Sequence, residues 1–161
     1  MVYYKKEKSS EIHEEGEGRF RLVGTLKDHI HDLRMEIQAT YPDGAILSAK
    51  AWLDVAPYGA ICRETERLMD SLVGVRIEPG MTREVARLLG GPEGCTHLVD
   101  MVMDLAKAFF QINFIETYFK HPGKFESLGD DHQRRVDVLA NVPPARNSCW
   151  ALNAEGAGRR G

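Results

Sequence analysis

A chain of 161 residues, 43% hydrophobic and 28% charged, has the make-up of a soluble globular protein and can bury a core without disulfides or metal as structural necessities. A formal net charge of −3 offers no broad attraction to nucleic acid, no apolar run approaches the roughly 20 residues needed to cross a bilayer, and the polar start MVYYKKEKSS has no apolar signal-peptide stretch. A cytoplasmic, non-membrane protein is expected, in which Cys62, Cys95 and Cys149, an odd number, are thiols and not a disulfide framework.

Residues 1–17, rich in Lys, Glu and Ser, carry no apolar periodicity and read as a mobile arm. From Gly18, Phe20, Leu22 and Leu26 mark one face of a half-buried strand. Along DHIHDLRMEIQATY the residues His29, His31, Leu33, Met35, Ile37 and Ala39 share the apolar face of a second strand, so both imidazoles are expected on it. The tight turn at 41–46 leads into a third strand with Ala45, Leu47, Ala49, Ala51, Leu53 and Val55 inward.

After Pro57 the period becomes helical: Ile61, Cys62, Thr65, Leu68, Met69 and Leu72 form one stripe with Cys62 facing in. A short helix from Thr82 ends at Gly90 and Gly91. Leu98, Val99, Val102, Leu105, Ala106, Phe109, Ile112 and Phe114 then describe a long helix from Cys95 to about Lys120. A last short helix is expected over Gln133–Leu139, and the 154–161 tail reads as disordered. The expected architecture is a single α+β domain over residues 18–153, a three-stranded antiparallel sheet covered by helices.

The chemistry-bearing stretch is GGPEGCTHLVD, residues 90–100. Cys95 after Gly94 stands at a helix N-terminus, where unpaired backbone N–H groups and the positive dipole end favour a thiolate as ligand or nucleophile. His97 follows two residues later, and two imidazoles at i and i+2 on a strand, His29 and His31, can chelate one ion. Cys149, in NSCWALN, is a candidate third thiol. No CxxC pair, hydrolase elbow, Walker loop, dinucleotide glycine pattern or HExxH occurs, so any site is assembled by the fold.

LKDHIHDLRMEI, the Pro57-to-Cys62 step, Leu72-x-Gly74, Gly94-Cys95-x-His97-Leu98 and NSCWAL together resemble a bacterial family known as a domain of unknown function, number 2889, which implies a relative and no reaction. In the order of strand, DG turn, strand, cysteine-bearing helix and cysteine-led helix, the chain is also similar to U-type iron–sulfur cluster assembly scaffolds. That layout implies a metal-binding pocket in which Cys95 takes the place of the last scaffold thiol and Cys62 lies a few residues past the second. Asp28 or His29 stands where the first thiol would be, and His97 substitutes for a histidine that Gly94 displaces.

Three functions follow. The first is a metal-binding accessory protein with His29, His31, Cys62, Cys95, His97 and Cys149 as candidate ligands for zinc or iron, since mixed imidazole and thiolate sets suit those metals. The second is a thiol-dependent enzyme with Cys95 as nucleophile on an acyl, thioester or persulfide substrate. The third is a noncatalytic module whose Phe109–Phe119 helix surface meets a protein partner or a second copy.

Overall fold

The computed structural model describes residues 1–121 and 123–153. Four strands form an open antiparallel sheet in the order β1 (Glu7–Gly16), β2 (Arg19–Lys27), β3 (Asp32–Thr40) and β4 (Ile46–Val55). The sheet therefore has four strands where three are expected, and the extra one comes from the stretch read as an arm. β1 is an edge strand with neither face deeply covered, so it needs no apolar alternation. Its place is set by backbone pairing, with Lys8 opposite Leu26 and Ile12 opposite Leu22, and its charged side chains blunt the free edge against further strand addition.

The inner face of the sheet follows the sequence period. Leu22 pairs with Ile37 and Leu26 with Leu33, and these four with Met35 are at most 1% exposed, each contributing about 1.5–3 kcal/mol relative to an exposed position. β4 departs from the expected phase. Gln38 pairs with Ser48 but Ala39 with Ile46, so Leu47 is the extra residue of a β-bulge. Ile46 turns inward in its place, Leu47 is 45% exposed, and Ala49, Ala51 and Leu53 resume the buried face.

The chain then forms α1 (Ala60–Arg63), a 3₁₀ segment over Glu64–Leu72, α2 (Met81–Leu89) and α3 (Thr96–Phe114). The stripe expected from Ile61 to Leu72 holds at its end, where Met69 and Leu72 are buried, whereas Ile61 is 72% exposed. Three residues per turn in the 3₁₀ segment put the beginning of the stripe out of phase with its end. Glu66 accepts the Leu53 N–H at 2.7 Å, and Arg63 donates to the Leu53 and Asp54 carbonyls at 3.0 Å, so these side chains occupy backbone groups on the open edge of β4. α3 lays Leu98, Met101, Val102, Leu105, Ala106 and Phe109 into the core. It crosses β2 closely at Gly24, where a Cβ would fall 2.9 Å from Met101 Cε and 3.3 Å from Leu105 Cδ2.

The chain forms two compact units, Met1–Phe109 and a second beginning at Phe110. In the second, α3 ends in a π-helical turn over Ile115–Phe119, and α4 (Asp131–Asn141) starts at an Asp130 cap that accepts the Gln133 N–H at 2.9 Å. Its small core is Tyr118, Val138, Val142 and Ala145, with Phe114, Leu128 and Leu152 against it. The Tyr118 hydroxyl donates to Asp137 at 2.7 Å. Among the described residues no helix is long and apolar enough to cross a membrane. The 154–161 tail lies outside the described residues.

Candidate functional site

His29 and His31 do not lie on a strand face. β3 begins only at Asp32, because the Asp28 carboxylate takes the backbone N–H groups of Ile30 and His31, both at 2.9 Å, and closes an Asx turn that competes with the extended ladder. His29 is exposed, its ring centre 5.7 Å from that of Tyr4. His31 folds back on the same carboxylate, its Nδ1 at 3.0 Å from Asp28 Oδ1. Tyr4 completes the arrangement by donating its hydroxyl to Asp28 Oδ2 at 2.8 Å. The Asp28 side chain is 3% exposed. The Ile30 N–H above all, joined by the Tyr4 hydroxyl and His31, holds its carboxyl far below the usual carboxylate range, and the same hydrogen bond raises the Tyr4 hydroxyl above its ordinary value.

The His31 ring meets His97, from the first turn of α3, with centres 4.0 Å apart and planes inclined at 42°. Burial, then the neighbouring His31 and Lys6, lowers the His97 pKa. Further along the same helix Asp100 receives Lys6 at 3.3 Å and Lys8 at 3.1 Å, and Lys8 also pairs with Asp104. Desolvation presses the Asp100 carboxyl upward, but the two lysines outweigh it and hold it below its ordinary value, while Asp104 chiefly raises Lys8. Lys8 of β1 and Lys6 just before it thus tie the sheet edge to α3 by charge.

Cys62 and Cys95 lie elsewhere in the first unit. They line one cleft of about 630 Å³, between α1 with its 3₁₀ extension and the loop before α3, alongside Ile61, Arg67, Leu68 and Glu93. Two local features put Cys95 there. Its N–H donates to the Leu89 carbonyl at 2.7 Å, folding the loop back on the end of α2. At Gly94 any Cβ would strike the Leu89 and Gly90 carbonyls, so only glycine permits the approach. The Val99 N–H is the first of α3 to bond back, to the Cys95 carbonyl at 3.2 Å. The N–H groups of Thr96, His97 and Leu98 therefore precede the helical ladder, at the end of α3 that Cys95 caps.

The six sequence candidates are accordingly divided. On an α-helix a two-residue step turns by about 200°, and Cys95 lines the cleft while His97 meets the β2–β3 turn. Cys149 belongs to the second unit, exposed, beside Asn147, Trp150 and Asn153. Among the described residues no three His, Cys, Asp or Glu side chains are gathered closely enough to hold a metal, so the residues do not fit a scaffold-type cluster. Tyr4, Lys6 and Asp100 carry no sequence signal, and Asp28 is expected from sequence only as a residue standing where a scaffold thiol would be. The D-x-x-H spacing, with its capacity for an Asx turn, was the available signal for Asp28. The apolar helix surface is divided too, with Phe109, Ile112 and Tyr118 buried and Phe119 exposed.

A family model described as "Protein of unknown function (DUF2889)" matches residues 9–111, a span that contains the Asp28–His31–His97 cluster and both cleft thiols. No curated protein and no solved structure matches the chain.

Proposed function

The chain belongs to the family described as Protein of unknown function (DUF2889), and from the site it carries we propose that it is a thiol-dependent enzyme acting on acyl thioesters, with Cys95 as nucleophile. The observation that carries this reading is that two thiols distant in sequence, Cys62 and Cys95, line one cleft at the N-terminal end of α3. An ionised cysteine sulfur attacks carbonyl carbon readily.

In the proposed step the Cys95 thiol gives its proton to solvent and its sulfur attacks the thioester carbonyl. A new carbon–sulfur bond forms, the bond to the original sulfur breaks, and the leaving thiolate takes up a proton. Water then attacks the acyl-enzyme, releasing the carboxylic acid and the Cys95 thiol. No electrons change hands. The N–H groups of Thr96, His97 and Leu98 are suited to the oxyanion of the tetrahedral intermediate, and Ile61, Leu68 and Pro92 of the cleft wall to an acyl chain.

The test is acyl capture. Incubation with the acetyl thioester of N-acetylcysteamine, followed by peptide mass spectrometry, is expected to place acetyl on Cys95 ahead of Cys62 and Cys149, and Cys95→Ser to abolish it. Equal slow modification of all three thiols overturns the reading. So does selective loading of Cys95 by a persulfide donor with no acyl transfer.

A further inference from the structure

We propose that His31 and His97 form a two-imidazole site for a borderline divalent cation of the zinc, nickel or copper class, oriented by Asp28. The thiol cleft takes no part in it. The first support is the chemistry of Asp28. A carboxylate only accepts hydrogen bonds, and this one lies 3.0 Å from His31 Nδ1 through Oδ1 and 3.2 Å through Oδ2. A neutral His31 ring beside it therefore carries its proton on Nδ1 and leaves the Nε2 lone pair available. An imidazole whose far nitrogen is held by a carboxylate is the arrangement that metal-ligating histidines use, because it fixes ring orientation and raises ligand basicity.

The second support is distance. A ligand nitrogen sits about 2.0–2.1 Å from the ion, which puts each ring centre about 3 Å from it and two rings in neighbouring coordination positions about 4.5–5 Å apart. The His31 and His97 centres are 4.0 Å apart with planes inclined at 42°, so to admit an ion the rings part by about 0.5–1 Å and turn their Nε2 atoms toward a common point.

The third support is rigidity. His31 is held by the Asx turn, with its backbone N–H also on Asp28, and His97 rides the first turn of a 19-residue helix, so little ordering remains to be done on binding. Two protein ligands leave room for water or an external ligand in the other positions, and borderline ions rather than calcium or magnesium suit imidazole.

Metal binding to the metal-free full chain tests this, read by competition with a chromophoric chelator for Zn²⁺ and by ring resonances of the six histidines during Zn²⁺ titration. One equivalent is expected to bind, moving the His31 and His97 ring signals and leaving those of His29 in place. His31→Gln and His97→Gln are each expected to weaken binding at least tenfold, Asp28→Asn about tenfold, and Cys62→Ser and Cys95→Ser to leave it unchanged. Failure of the wild-type protein to bind, or binding that shifts neither ring, overturns the site whether or not the variants fold. Loss of binding in the cysteine variants overturns it in favour of the cleft. Acyl capture by Cys95 is read independently, so either proposal can fail without the other.

Discussion

Asp28 and His31 share more than a side-chain hydrogen bond: one carboxylate holds the ring of His31 at Nδ1 and also its backbone N–H. The bend between β2 and β3 and the orientation of the imidazole therefore have a common cause. Asp28→Ala is expected to lower the urea midpoint, because the Ile30 and His31 N–H groups lose their acceptor. It is also expected to release the His31 ring to the tautomer mixture of a free imidazole. Ring ¹⁵N shifts check this: they report a protonated Nδ1 in the wild type and a shift toward protonated Nε2 in the variant. An unchanged ring spectrum would separate the turn from the tautomer.

A second prediction concerns the seam between sheet and helix. With Met101 Cε and Leu105 Cδ2 standing where a Gly24 side chain would go, Gly24→Val overpacks the core and is expected to cost about 1–3 kcal/mol. Met101→Ala opens that space while leaving a cavity of its own. The double variant is therefore expected to be less destabilised than the sum of the two singles, the coupling of residues in contact. Urea unfolding of the four proteins completes the cycle, and strict additivity would show that α3 does not press on β2 there.

The sheet was legible because its inner residues alternate: Leu22, Leu26, Leu33, Met35 and Ile37 sit where a period of two puts them. The long helix was legible for the corresponding reason, its apolar residues recurring at helical spacing. β1 was not, since an edge strand held by backbone bonds and by the pairing of Lys6 and Lys8 with Asp100 and Asp104 of α3 leaves no apolar signature. The alternation that placed the strands also misled: continued backward through His31 and His29 it predicted a strand where the Asp28 side chain captures the backbone. At the candidate site the importance of Cys95 and its glycine-rich approach was legible locally. Which groups meet depends on how α1, α3 and the β2–β3 turn are brought together, and no residue spacing encodes that.

Gly94 is the tightest point of the loop that delivers Cys95. Its missing side chain lets the carbonyls of Leu89 and Gly90 close over it, and backbone atoms cannot rotate away as a methionine tip can. Gly94→Ala is thus expected to destabilise by about 3 kcal/mol or more, among the larger single-residue effects, and to slow acyl capture at Cys95 by displacing the thiol from the cleft. Gly91, where a Cβ would meet nothing within 4 Å, has a positive φ of 76°. Gly91→Asn, a residue that tolerates that conformation, is expected to be mild, and urea midpoints of the two variants compare them.

Acid should weaken the first unit in two separate windows. His97 has its folded pKa lowered from an ordinary value near 6.5 by burial, His31 and Lys6. As pH falls below that value the unfolded chain takes up this proton first, so stability present at neutral pH declines until the folded pKa is passed. Asp100 is also lowered, the lysines outweighing desolvation. Its contribution is present above the ordinary carboxylate value near 3.8 and is lost as pH falls through the folded value. Urea midpoints followed from pH 8 to pH 3 are expected to fall first in the histidine window and again in the carboxylate window. His97→Gln should flatten only the first fall, and Asp100→Asn should reduce only the second and only in part, leaving the share of Asp28, whose carboxyl is also held far below its ordinary value. High salt should reduce the second contribution in the wild type, because the Lys6–Asp100–Lys8 ties lie at the surface, where charge is screened. A first fall that persists unaltered in His97→Gln would assign it to another histidine and remove His97 from the acid response.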